Sequence, residues 1–250
     1  MGFRRHFYQF AGFRYIQDCE QIEHDTHPEN MVCDKQLDAN LKHHYFNEKS
    51  YIMELAQLVS EIAGEKVKHH KVLTTGCSVG RLSFELGKVF GESLGIDYTT
   101  RYFELSTDLK HKGEYKHNEI EISLEKMGLC SKNVFFMQVN PENPDAKKIN
   151  NFEWVVIDGF SIHQDRLGQA LQQSLKLITP NAHILMMSVS KINDLPSEEG
   201  WAILAQSLEH GMVEVKETVQ LKASLEDQSY LPTKEEGLTF TLTHYQITQE

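Results

Sequence analysis

With 250 residues and 40% hydrophobic content, the chain has enough apolar material for one sizeable α/β domain with room for an extra segment. Its formal net charge of −11 and pI of about 5.6 exclude a surface built for sequence-independent nucleic-acid binding and favour a small-molecule substrate. No run approaches the roughly 20 apolar residues of a membrane span, no secretory signal is read, and Cys19, Cys33, Cys77 and Cys130 lack paired spacing, so a cytoplasmic protein with reduced cysteines is expected.

Residues 1–33 stand outside any α/β rhythm, passing from aromatic and arginine residues into the turn-rich stretch Asp25-Thr26-His27-Pro28-Glu29-Asn30. A helical cap is predicted over 34–64, because Leu37, Leu41, His44 and Tyr45, then Ile52, Leu55, Ala56, Val59 and Ile62, recur at helical spacing. Gly64 closes it. Strand and helix then alternate: strand 67–75, helix 79–90, strand 93–97, helix 100–110. A hairpin or lid is expected over 113–123, followed by apolar strands at 133–139 and 152–157. Helix 165–177, strand 182–188 and helix 198–209 come next, and 212–219 and 238–247 alternate as strands should. Continuous apolar runs are what parallel strands buried on both faces require. The fold class expected is therefore Rossmann-like α/β: a seven-stranded, mostly parallel sheet with helices on both faces, occupying 34–250.

The stretch Thr74-Thr75-Gly76-Cys77-Ser78-Val79-Gly80-Arg81, with Gly95-Ile96-Asp97 beyond it, is the clearest functional signal. A strand runs into a glycine turn and a helix, and the next strand ends on an acid roughly 20 residues beyond the first glycine, where a ribose-binding carboxylate stands in nucleotide-binding α/β domains. Gly-x-x-x-Gly is not the dinucleotide fingerprint, and it suits a smaller nucleoside ligand such as S-adenosylmethionine (SAM). Gly76, Cys77, Ser78 and Gly80 would pass beneath that ligand's amino-acid portion, with Cys77 chosen for small size. Arg81 would bind its carboxylate. Asp97, with Tyr98 beside it, would take the ribose, and Asn140 the adenine edge. Asp158, Gly159 and Phe160 would border the methyl group. Read singly, Gly76 and Gly80 also fit plain turn and packing roles, Asp97 a helix start, and Asn140 a turn before proline. Three positions depart from the general SAM pattern: Thr74 stands where an acid is common, Ser78 replaces a middle glycine, and Asn140 replaces the adenine acid. Thirteen histidines, among them His43-His44 and His69-His70, show no convergent ligand set, and no metal is expected.

The turn and its flank, Gly76-Cys77-Ser78-Val79-Gly80-Arg81-Leu82-Ser83-Phe84-Glu85-Leu86 with Gly95-Ile96-Asp97-Tyr98-Thr99-Thr100-Arg101-Tyr102, resemble the C-terminal methyltransferase domain of ovothiol synthase, a bifunctional histidylcysteine sulfoxide synthase and thiohistidine N-methyltransferase. Asp34-Lys35-Gln36-Leu37 with His44-Tyr45, and Asp165-Arg166-Leu167, are similar to further family segments, although Ile162-His163-Gln164 departs from it. Phe3-Arg4-Arg5-His6-Phe7-Tyr8-Gln9-Phe10-Ala11-Gly12-Phe13-Arg14 looks like the closing strand region of the synthase domain, which implies that 1–33 is a remnant of that upstream domain.

The resemblance implies a SAM-dependent methyltransferase acting on an imidazole nitrogen of 5-thiohistidine. It implies His44, Tyr45, His163 and Asp165 as candidates to orient the ring, Tyr45 and Phe160 as substrate contacts, and Arg166 as the partner of the substrate carboxylate. A sulfoxide synthase domain or chain is the macromolecular partner it implies; neither nucleic acid nor membrane is expected. Two other readings stay open: methylation of another small molecule, such as a selenium analogue, and a non-catalytic SAM-fold module serving the synthase.

Overall fold

A computed structural model describes residues 9–10, 13–14, 34–47, 50–140, 149–158, 167–191, 212–221 and 238–248. Its helices are α1 (Asp34–Phe46), α2 (Tyr51–Ala63), α3 (Arg81–Leu86), α4 (Thr100–Lys112) and α5 (Leu167–Ser174). Its strands are β1 (Gln9–Phe10), β2 (Phe13–Arg14), β3 (Lys71–Thr75), β4 (Glu92–Asp97), β5 (Glu114–His117), β6 (Ile120–Ser123), β7 (Val134–Gln138), β8 (Phe152–Asp158), β9 (Ile178–Lys191), β10 (Met212–Leu221) and β11 (Leu238–Thr248). None of these helices is long and apolar enough to cross a membrane.

Seven strands form one sheet in the order β10-β11-β9-β8-β3-β4-β7. The neighbours from β9 through β7 pair in parallel, while β11 runs antiparallel to both β9 and β10. Strand order reverses beside β3, the first strand of the sheet in the chain, which is where ligands collect in open α/β sheets. The expected seven-stranded fold is thus the one observed. Alternation along each strand divides the core. Val72, Trp154, Val156, Leu185, Met187 and Leu242 pack beneath α2 and part of α3, while Leu73, Ile96, Val155, Ile157, Ile184 and Met186 face α5. A third cluster joins α1 and α4 to Val134 and Phe136 of β7.

Several predicted boundaries shift for local reasons. The cap over 34–64 is two helices, not one, because Ser50 takes an extended conformation and its hydroxyl accepts the Ile52 N–H at 3.2 Å, starting α2 afresh. The strand expected from 67 begins at Lys71, after a 3-10 turn at Glu65–Val67. Helix α3 covers only Arg81–Leu86 of the expected 79–90, since the carbonyls of Gly87 and Phe90 turn aside to the Asn133 amide at 2.9 and 2.8 Å. Strand β9 is longer than predicted and α5 shorter. The expected hairpin is present as β5–β6, with Asn118 in the left-handed region at its turn. Of residues 1–33, only the β1–β2 ladder is described; the helix expected at 198–209 lies outside the described residues.

Candidate active site

Parallel register brings three strand ends to one level. Thr75 of β3 is paired with Ile96 on one side and Ile157 on the other, so the next residues are Gly76, Asp97 and Asp158. Asp97 shares a face with Gly95, and Asp158 with Val156. Both carboxylates therefore stand on the α2 side of the sheet, flanking β3. Between them the chain supplies Gly76, which has no side chain and turns away at φ 74°, its N–H bonded to the Ile96 carbonyl at 3.0 Å. One step below on that face, the Thr74 hydroxyl is fully buried and accepts or donates no hydrogen bond.

The turn is held from beneath by Asp97. Its Oδ2 accepts the Ser78 N–H at 2.7 Å and its Oδ1 the Thr99 N–H at 2.8 Å. Ser78 adopts φ 48°, the conformation a middle glycine would take freely, and the bond to Asp97 sits at that residue. Burial pushes the Asp97 carboxyl up, against backbone hydrogen bonds that hold it down. The Tyr98 N–H and the Thr99 hydroxyl add to these bonds, so the carboxylate is held by the whole segment that follows it. Gln138 steadies the segment beyond: its amide donates to the Tyr98 carbonyl at 3.1 Å and the Thr100 hydroxyl at 2.6 Å. Asn140 lies just past the end of β7, where the Val139 N–H bonds the Asp97 carbonyl at 2.9 Å.

Helix α1 closes over the turn. The Tyr45 hydroxyl donates to the Val79 carbonyl at 2.8 Å, and the Arg81 guanidinium lies 5.4 Å from the centre of the Tyr45 ring. Arg81 has a partner on its own helix. Its Nε and a terminal nitrogen grip Glu85 one helical turn on, with the Nε bond at 2.9 Å, and the pair is buried. A buried guanidinium needs a carboxylate, and Glu85 supplies it within the chain, which gives Arg81 a structural role beside the carboxylate contact expected from the sequence. Gly80 is likewise explained by packing. It has φ 82°, and a Cβ there would meet the Ser106 Oγ at 2.8 Å and the Phe136 ring at 2.9 Å. The Cys77 thiol is pushed well up by burial and by the Asp97 and Asp158 charges, so it stays protonated.

Sequence reasoning missed Tyr51. The first residue of α2, it is fully buried, and its hydroxyl donates to Asp158 Oδ2 at 3.1 Å. The rings of His43 and His44 lie 5.4 and 6.2 Å from it, the second edge-on. His44 is buried, its Nδ1 makes no hydrogen bond, and burial with the nearby His43 and Arg81 holds its pKa at about 3, so the imidazole is neutral. A tyrosine that opens an apolar helix just after an N-cap serine reads as core; only its separation from Asp158, 107 residues away in sequence, gives it meaning. The predicted residues Gly159, Phe160, His163, Asp165 and Arg166 lie outside the described residues.

Solved structures share this architecture. The YcgJ protein of Bacillus subtilis superposes with a TM-score of 0.53 at 13% identity, covering 79% of this chain and 99% of that one. The N-methyltransferase NodS of Bradyrhizobium japonicum WM9 gives 0.52 at 12% identity, over 79% and 96% of the chains. Magnesium protoporphyrin IX methyltransferase of Synechocystis PCC 6803, solved with bound SAM, gives 0.53 at 11% identity over 93% and 92%. The chain has the Rossmann-like fold of class I methyltransferases. No protein-family model matches its sequence, and no curated protein does.

The residues at the strand ends fit SAM better than a phosphorylated nucleotide. Two carboxylates face the turn, and Arg81, the cation directly after it, is committed to Glu85. Such a set repels phosphate and suits a ligand with ribose hydroxyls, an amino group and a sulfonium charge.

Proposed function

We propose that this chain is a SAM-dependent methyltransferase that methylates an imidazole nitrogen of 5-thiohistidine. The observation carrying the methyl-transfer reading is the pair Asp97 and Asp158, standing on one face at the ends of β4 and β8 with side-chain-free Gly76 between them. Bound SAM supplies an electrophilic methyl group whose bond to sulfur breaks with the electron pair staying on sulfur.

Asp97 takes the ribose hydroxyls while its bonds to Ser78 and Thr99 keep it oriented. Thr74 offers its unpartnered hydroxyl from below, and Tyr98 and Asn140 border the nucleoside. Asp158 and the aromatic wall of His44, Tyr45 and Tyr51 bound the acceptor side. Methyl transfer by in-line displacement asks mainly for positioning and exclusion of water. The buried, neutral His44 and the tied-down Tyr45 meet that need without a strong general base. The thiohistidine assignment draws on the sequence resemblance around Gly76–Tyr102 and adds Gly159, Phe160, His163, Asp165 and Arg166 as substrate contacts, with a sulfoxide synthase domain or chain as partner.

Calorimetry with SAM tests the cofactor; absence of heat at millimolar ligand would sink the methyltransferase reading. Mass spectrometry of 5-thiohistidine after incubation with SAM and the protein tests the substrate. One added methyl on nitrogen is expected, and an unchanged substrate with SAM still bound would reject it. A second reading, a non-catalytic module serving a synthase, is favoured by the commitment of Arg81 to Glu85 and by Thr74 at the usual acidic position.

A further inference from the structure

Three histidines gather around Trp154 on the α2 face of the sheet, at the end away from the glycine turn. The Trp154 indole of β8 stacks on the half-buried His183 ring of β9, with centroids 4.1 Å apart and planes 14° apart. Its Nε1–H donates to His70 Nδ1 at 3.2 Å, just before β3, which fixes the indole plane. His244 of β11 is buried, and its Nε2 faces His183 Nδ1 at 3.0 Å. His183 is level with Trp154 in the parallel register, and Met187, four residues on, is level with Asp158. The pair therefore stands roughly 13 Å back from the carboxyl ends of the strands. The apolar residues packed around Trp154 include Val59 of α2, Val67 and Val72. The ionisable groups of the adjoining elements are His70 and Lys71 by β3, Glu153 of β8, which accepts the Lys71 N–H at 2.7 Å, and Glu217 of β10, the register partner of His244.

Two imidazole nitrogens in contact form a hydrogen bond only when one carries a proton and the other a lone pair. One cationic ring is compatible with that bond: it becomes charge-assisted, and the Trp154 face lies against His183 to receive the charge. Two cationic rings are not, because each facing nitrogen then carries a proton and two like charges confront each other across a buried contact. We propose that His183 and His244 form an acid-released latch between β9 and β11. It is closed while the two rings carry at most one positive charge between them, and it opens when the second ring takes a proton. The latch bears on two strands, since β10 is hydrogen-bonded to the sheet through β11. The open state binds one proton more than the closed state, so opening is favoured as pH falls, by about tenfold per pH unit over the range where that proton is taken up. This latch is independent of the methyl-transfer reading.

The test is hydrogen exchange read by mass spectrometry on the full chain, from about pH 7.5 down to about pH 5, the range in which histidine changes charge, with intrinsic exchange rates factored out. In wild type, protection of the β11 amides should fall by about tenfold or more, while β3 and β4 keep theirs within about twofold, a separation that acid loosening of the whole fold would not produce. His244→Gln keeps a hydrogen-bonding amide but takes no proton, so its β11 protection should stay within about twofold over the same range. No fall in wild type, a fall of equal size in His244→Gln, or a fall shared by β3 and β4 each overturns the latch. Should His244→Gln not fold, nitrogen NMR of the wild-type imidazoles decides. Scalar coupling across the N–H···N bond should join His183 to His244 at neutral pH and vanish in step with the loss of β11 protection. Coupling absent at neutral pH, or coupling that persists after β11 has opened, rejects it.

Discussion

The Tyr45 hydroxyl donates a 2.8 Å hydrogen bond to the Val79 carbonyl, so the last turn of α1 is tied to the glycine turn 34 residues further along the chain. Both groups are buried, and the cation of Arg81 rests against the same ring. Tyr45→Phe removes the donor and leaves a buried carbonyl short of a partner, which should cost about 1–3 kcal/mol. In urea unfolding the midpoint should fall while the slope stays constant; an unchanged midpoint would mean that water or another donor already serves Val79.

Asp97 holds the turn, and in the proposed function it also holds the ribose of the ligand. Asp97→Ala frees the Ser78 and Thr99 N–H groups and removes the proposed ribose acceptor. SAM affinity should drop by about 1–3 kcal/mol, the range for a lost charge-assisted bond. Calorimetry that returned the wild-type dissociation constant would show that the ribose is held elsewhere.

The glycines divide by what surrounds them. Gly80 and Gly113 both have positive φ, 82° and 72°. A Cβ at Gly80 would strike Ser106 and Phe136, whereas one at Gly113 would meet nothing within 4 Å. Gly113→Ala should cost about 1–2 kcal/mol, the left-handed penalty alone. Gly80→Ala adds overpacking of about 1–3 kcal/mol. Equal losses in parallel thermal melts would contradict the packing account of Gly80.

His44 makes stability depend on pH in a defined direction. Its folded pKa is about 3, below the ordinary 6.5, because burial and the nearby His43 and Arg81 disfavour the cation. The folded state thus binds this proton less readily than the unfolded chain does. The contribution is whole above pH 6.5 and is lost as pH falls toward 3, at a slope approaching about 1.4 kcal/mol per unit. His44→Gln should flatten the fall in stability between pH 6 and 4 relative to wild type. Parallel curves for the two proteins would place the acid sensitivity in other groups.

Legibility in the sequence followed the range of the interaction. Parallel strands declared themselves as short apolar runs, since each needs only its own residues to show burial on both faces. The break at Ser50 was hidden because helical periodicity continues on either side of it, and one N-cap serine looks like any polar residue within a helix. The pairing of Arg81 with Glu85 on the same helix was not legible, since nothing in a list of residues says whether a guanidinium turns outward or along its own turn. Tyr51 had no signal at all, for its meaning depends on Asp158.

By itself the sequence determined the order of strands and helices, the glycine turn and the acid at the end of β4, because each is encoded by local propensity and near spacing. Only the tertiary structure decided that Asp97 and Asp158 share one face around Gly76, that α1 is pinned to the turn through Tyr45, and that Tyr51 holds Asp158. These relationships arise from parallel register and from the packing of α1 and α2 on the sheet. Both are set by long-range burial, which brings together residues that the chain keeps far apart.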